Sequence, residues 1–175
     1  MKKPDRISPK FEQIINGVWD RPRIAMILLC IDYVAVIFAM IALSVRVAFL
    51  ITERGYIRLI SELAILASAF AAVSVFRRIV NMPRPYEIGN ITRLDSSKKR
   101  GQSFPSRHVF SAFVIATVIT PWSVWLAIAL FVMGAAMAAV RVLIGRHFIR
   151  DVIAGAIIGI ASGVIGLLIL HFAGI

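Results

Sequence analysis

The chain has 175 residues, 59% hydrophobic and only 17% charged, and its mean hydropathy is +0.86. Soluble domains run nearer half apolar and a quarter charged, so this composition excludes a disordered chain and points to a membrane. Twenty Lys and Arg against nine Asp and Glu give a formal charge of +11; the cations stand between long apolar runs, which argues against a soluble nucleic-acid binder.

Residues 1–23 are polar and basic, with Lys2, Lys3, Arg6, Lys10, Arg21 and Arg23 around an amphipathic piece from Phe11 to Trp19. The apolar run starts too late for a secretory signal peptide, and an interfacial helix ahead of the first span is expected. Residues 24–175 form the membrane domain. Five apolar segments follow one another in it: Ile24 to Leu50, Ile57 to Phe76, Ser106 to Thr120, Trp122 to Leu143, and Phe148 to the C-terminus. A span needs about 20 apolar residues to cross about 30 Å of hydrocarbon. The third segment is short, reaching only about 22 Å at the helical rise, so its beginning should lie below the membrane surface. The first segment contains Asp32 and Arg46, and the second contains Glu62. Cys30, the single cysteine, rules out a disulfide framework and is expected as a small buried hydrophobe. Gly155, Gly159 and Gly163 recur every four residues in the fifth segment, as do Gly134 and Ala138 in the fourth. That spacing lets backbones approach in lipid and predicts that these two helices pack together.

Two basic interruptions remain, Arg77 to Arg107 and Arg141 to Asp151. Ionisable residues at span ends are costly and mark functional sites. His147 and Asp151 are four apart, so a helix beginning near His147 puts both on one face. A carboxylate on one imidazole nitrogen fixes the tautomer and leaves the other nitrogen as nucleophile or base. Ser106 is a good N-cap for the third apolar helix, and His108 falls in its first turn, where a helix N-terminus attracts phosphate. Arg77 and Arg84 precede it, and guanidinium forks match phosphate oxygens. Each residue alone has a plainer reading, as a helix cap or a snorkelling cation. Together, two His, an Asp and several Arg are the equipment for phosphoryl transfer without a metal. No metal site and no cofactor are expected.

These residues resemble the type-2 phosphatidic acid phosphatase superfamily, whose pattern is Lys-x6-Arg-Pro, Pro-Ser-Gly-His and Ser-Arg-x5-His-x3-Asp. Here the three motifs read Arg77-x6-Arg84-Pro85, Pro105-Ser106-Arg107-His108 and Val140-Arg141-x5-His147-x3-Asp151. Arg replaces Lys at 77, Arg replaces Gly at 107, and Val replaces Ser at 140. The resemblance implies an all-α integral membrane bundle of about five transmembrane helices. It implies His147 as the nucleophile forming a phosphohistidine, Asp151 as its orienting carboxylate and His108 as the general acid. Arg77, Arg84, Ser106 and Arg141 would hold the phosphate, and Arg107 would add a phosphate contact or face a lipid headgroup. The implied substrates are lipid phosphates: phosphatidic acid, phosphatidylglycerol phosphate, lipid A phosphates or polyprenyl diphosphates.

Two other readings compete. Vanadate-dependent haloperoxidases look similar in these motifs but are soluble and much larger. A non-catalytic protein that binds anionic lipid through basic loops would explain the charge, but not the His147–Asp151 spacing. Sidedness is contested as well. With five spans, 17 of the 20 Lys and Arg fall on the side of the N-terminus and both basic stretches, which the positive-inside rule makes cytoplasmic. The resemblance implies a site on the extracytoplasmic face of the cell membrane, which is the expectation adopted.

Overall fold

The computed structural model describes residues 7–91 and 100–175. Among them seven helices follow in order: α1 Pro9–Trp19, α2 Pro22–Thr52, α3 Tyr56–Val80, α4 Pro85–Ile88, α5 Arg107–Ile119, α6 Val124–Leu143 and α7 Ile149–Phe172. Lys2, Lys3, Arg6, Arg93, Asp95, Lys98 and Lys99 lie outside the described residues. Four helices, α2, α3, α6 and α7, are long and apolar enough to cross a membrane, and α5 is the shorter apolar fifth. The protein is an all-α, multi-pass membrane bundle.

Helix α1 starts where Ser8 accepts from the Phe11 amide at 3.4 Å and Pro9 supplies a preset backbone angle. Its apolar face buries Ile15 and Trp19 against Ala25, Val140 and Ile144. The Trp19 indole donates to the Ile144 carbonyl at 3.3 Å. Glu12 accepts from the Asn90 amide at 2.9 Å. The segment is thereby fastened to the end of α6 and to the loop after α4.

Helix α2 turns one stripe inward: Ala25, Asp32, Ala35, Ala39, Ala42, Arg46 and Leu50. Steps of three, four and seven put these on one face. Small residues along it bring α2 close to its neighbours, and the two charged residues meet partners there. Arg46 pairs with Glu62 of α3 at 2.6 Å, and Arg58 joins the same carboxylate at 3.0 Å. Asp32 pairs with Arg141 and Arg146 near the other end of the helix. Cys30 does not fulfil its expectation, since it is exposed on the outer face of α2. The lipid-facing side of a membrane helix is as apolar as its core side, so hydrophobicity alone does not separate them.

The glycine ladder of α7 faces α5 rather than α6. A methyl carbon on Gly155 would lie 2.7 Å from the Ser106 carbonyl oxygen, one on Gly159 2.7 Å from that of Phe110, and one on Gly163 2.6 Å from Thr117 Cβ. Gly134 of α6 also abuts α5, at Phe113 and Ala112. The small-residue spacing sets how near a neighbour comes, not which neighbour it is. Both small faces close on α5, most of whose side chains are consequently buried. This seam places the start of α5 directly beside the start of α7.

Candidate active site

The α5/α7 seam brings the second and third motifs together. The Ser106 amide donates to the Asp151 carbonyl at 2.8 Å. Asp151 lies in the first turn of α7 and is fully buried. Its Oδ2 accepts from the Phe148 amide at 3.0 Å, so it serves the helix terminus as well as the site. His147 lies before the helix, in the loop after α6, and approaches Asp151 from there. The expected shared helix face is therefore replaced by a loop-to-helix contact. His147 Nδ1 stands 3.7 Å from Asp151 Oδ2, too far for a hydrogen bond. Ser103 fills the space between them: its hydroxyl donates to Asp151 Oδ2 at 2.5 Å and lies 3.4 Å from His147 Nδ1. Burial pushes the His147 imidazole down from 6.5 to about 4; Asp151 opposes this shift, while Arg84 and Arg141 add to it.

A cavity of about 590 Å³ opens above this pair. Arg77, Arg84, Arg107, His108, Arg141 and His147 all line it, so six of the eight motif residues expected at a site share one space. Arg77 spends donors on the Gln102, Ser103 and Pro105 carbonyls, shaping the loop before α5. Arg84 donates through Nε to the Gly101 carbonyl at 3.0 Å. The Arg107 guanidinium lies over the Phe70 ring, 5.2 Å from its centroid. Ser106 occupies the N-cap position of α5, but its hydroxyl makes no capping bond and is buried without a partner. The expected side-chain cap is absent, and the Ser106 backbone amide donates to the Asp151 carbonyl instead.

Asp32, Ser103, Arg100 and Arg146 complete the surroundings, and sequence reasoning did not select them as site residues. Asp32 accepts from Arg141 Nε at 2.8 Å, from Arg141 Nη2 at 2.9 Å and from Arg146 Nη1 at 2.9 Å. A carboxylate inside an apolar run was the available signal for Asp32. Ser103, two residues ahead of the second motif, carried no signal of its own.

A second, apolar groove of about 210 Å³ adjoins the cavity. Val36, Arg107 and His108 line both, and Met40, Phe70 and Ile115 continue the groove toward the bundle's apolar flank. Among the described residues no three His, Cys, Asp or Glu side chains gather in a way that would hold a metal ion. The arrangement can therefore place an anionic group among arginines, with two imidazoles lining the same space and an apolar channel next to it.

Among solved structures, LpxE from Aquifex aeolicus is similar at 25% identity and a TM-score of 0.69, over 91% of this chain and 93% of that one. A transmembrane PAP2-type phosphatidylglycerolphosphate phosphatase from Bacillus subtilis shares the fold, at 18% identity and a TM-score of 0.69, over 93% of this chain and 85% of that one. No curated protein sequence matches the chain. Residues 58–174, well over half of the chain and inclusive of all three motifs, match the PAP2 superfamily, and the protein belongs to that superfamily.

Proposed function

We propose that the protein is a membrane-embedded lipid phosphate phosphatase working through a phosphohistidine on His147. The observation that carries this is the single cavity shared by His147, His108 and four motif arginines. Neutral His147 would attack phosphorus through Nε2 while the bond from phosphorus to the lipid oxygen breaks. His108 would give that oxygen its proton and then take one from the water that cleaves the phosphorus–nitrogen bond. Arg77, Arg84, Arg107 and Arg141, with the α5 N-terminus at Ser106, would stabilise the charge on the equatorial oxygens. With Nδ1 protonated, His147 would donate to Ser103, which passes the bond on to Asp151. That keeps Nε2 unprotonated.

The adjoining apolar groove supports a lipid substrate, because an alkyl or prenyl chain can leave the phosphate site without crossing a polar wall. A polyprenyl diphosphate or a glycerophospholipid phosphate is the class of substrate proposed. Membership of the PAP2 superfamily, whose motifs imply lipid phosphate substrates, supports the same class. In this reading the site faces the extracytoplasmic side of the cell membrane, with α1 lying at that interface.

The test is inorganic phosphate release by purified protein in detergent, over a panel of lipid mono- and diphosphates. Release from a lipid phosphate, lost in His147→Ala, is expected. Binding to anionic vesicles with no release from any substrate would favour the non-catalytic lipid-binding reading.

A further inference from the structure

Asp32 is buried within α2, a membrane-spanning helix that precedes the stretch matching the family. An ionised carboxylate there is costly unless partnered and used. Its partners are both cations of the cavity wall. A guanidinium has two forked edges, one formed by Nε and Nη2, the other by Nη1 and Nη2. Asp32 takes the first edge of Arg141 with both carboxylate oxygens, at 2.8 and 2.9 Å. Among the described residues no protein group bonds Arg141 Nη1, and Arg141 lines the cavity.

The geometry points to Asp32 as a positioning residue for phosphate recognition. It grips one edge of Arg141 and leaves the other aimed at the substrate's phosphoryl oxygens. This rests on the reading of the cavity as a phosphatase site. The same carboxylate accepts from Arg146, the residue next to His147, so one anion from α2 fixes both an oxygen-binding fork and the loop that bears the nucleophile. Two guanidiniums on one carboxylate keep this corner positive, so the phosphate is still attracted. Without Asp32 the two cations repel, and Arg141 is free to swing.

The experiment compares Asp32→Asn, Arg141→Lys and the double variant, on a lipid phosphate and with vanadate as inhibitor. Asp32→Asn is expected to lower kcat about tenfold or more, with KM changing far less, and to weaken vanadate inhibition in parallel. In the Arg141→Lys background, Asp32→Asn should cost little more, because the fork it positions is already gone. Asp32→Glu should recover part of the loss. If Asp32→Asn does not fold, Asp32→Asn with Arg146→Gln restores the charge of the cluster and carries the same expectation, read against Arg146→Gln alone. Wild-type kcat per folded molecule in the Asp32 variants, or equal losses with and without Arg141, would overturn the inference and leave the phosphatase reading intact. Wild-type protein that releases no phosphate, or Arg141→Lys with unchanged kinetics, would overturn the reading beneath it.

Discussion

The Ser103 hydroxyl donates to Asp151 Oδ2 across 2.5 Å, while the His147 ring that this carboxylate is expected to orient stands 3.7 Å away. Ser103 therefore links the two. His147→Ala should abolish turnover, and Asp151→Asn should lower kcat by about a thousandfold or more. Ser103→Ala should cost about tenfold in kcat with KM little changed, since the ring loses a guide and not its nucleophilic nitrogen. Kinetics on a lipid phosphate, with folding checked by gel filtration, decide this; near-normal turnover by His147→Ala would remove the central assignment.

His108 should matter in proportion to how badly the leaving group needs a proton. His108→Ala is expected to slow a lipid alkyl phosphate by about a hundredfold or more, and an activated aryl phosphate much less. An equal loss on both substrates would make His108 a binding residue.

Burial depresses the His147 pKa to about 4. The proposed nucleophile is the neutral form, so activity governed by this group should be retained from neutral pH downward and lost only as pH falls through about 4. Nitrogen-15 NMR of histidine-labelled protein in detergent, assigned with His147→Gln, should place its midpoint well below the ordinary 6.5. A midpoint near 6.5 would mean that the ring is solvated and the pocket open.

Activity should survive excess EDTA, and vanadate should inhibit. Among the described residues, the carboxylates beside the cavity already hold partners: Asp32 with Arg141 and Arg146, Asp151 through Oδ2 with Ser103 and the Phe148 amide, and Glu87 with the Arg84 and Gly101 amides. In the proposed mechanism the arginines would supply the charge that a bound magnesium ion would otherwise bring. Complete loss in EDTA, restored by magnesium, would refute this.

Gly159→Ala should destabilise the protein by about 1–3 kcal/mol and depress kcat. The added carbon would press on the α5 backbone at Phe110 and Val114, at 2.7 and 3.1 Å. Gly17→Ala, where a methyl meets nothing within 4 Å, is the control and should be neutral or mildly stabilising. Thermal unfolding followed in detergent measures both.

The five apolar segments and the motif residues were legible because hydropathy and short-range spacing are local properties. What stayed hidden depends on long-range pairing. Asp32 and Arg141 are 109 positions apart, and nothing near either one names the other. The glycine spacing announced a close contact, but α5, not α6, fills it. Ser103 looks like any loop serine until the chain folds it between Asp151 and His147. The i, i+4 spacing of His147 and Asp151 suggested a common helix, yet α7 starts only after His147, where the Phe148 amide needs the Asp151 carboxylate as a partner.

The arginine-lined cavity and the apolar groove meet at His108 and Arg107, and the proposed reaction yields two products of opposite solubility. Inorganic phosphate would depart through the arginine-lined mouth, toward water. The dephosphorylated lipid carries one phosphoryl group fewer, would be held less tightly by the arginines, and would withdraw sideways along Phe70 and Ile115 into the bilayer. In the proposed reaction His108, where the two spaces meet, gives its proton to the oxygen of the departing lipid. Separate exits would keep the released lipid from blocking the departure of phosphate, so turnover should be limited by the anion's escape from its arginines rather than by the lipid's.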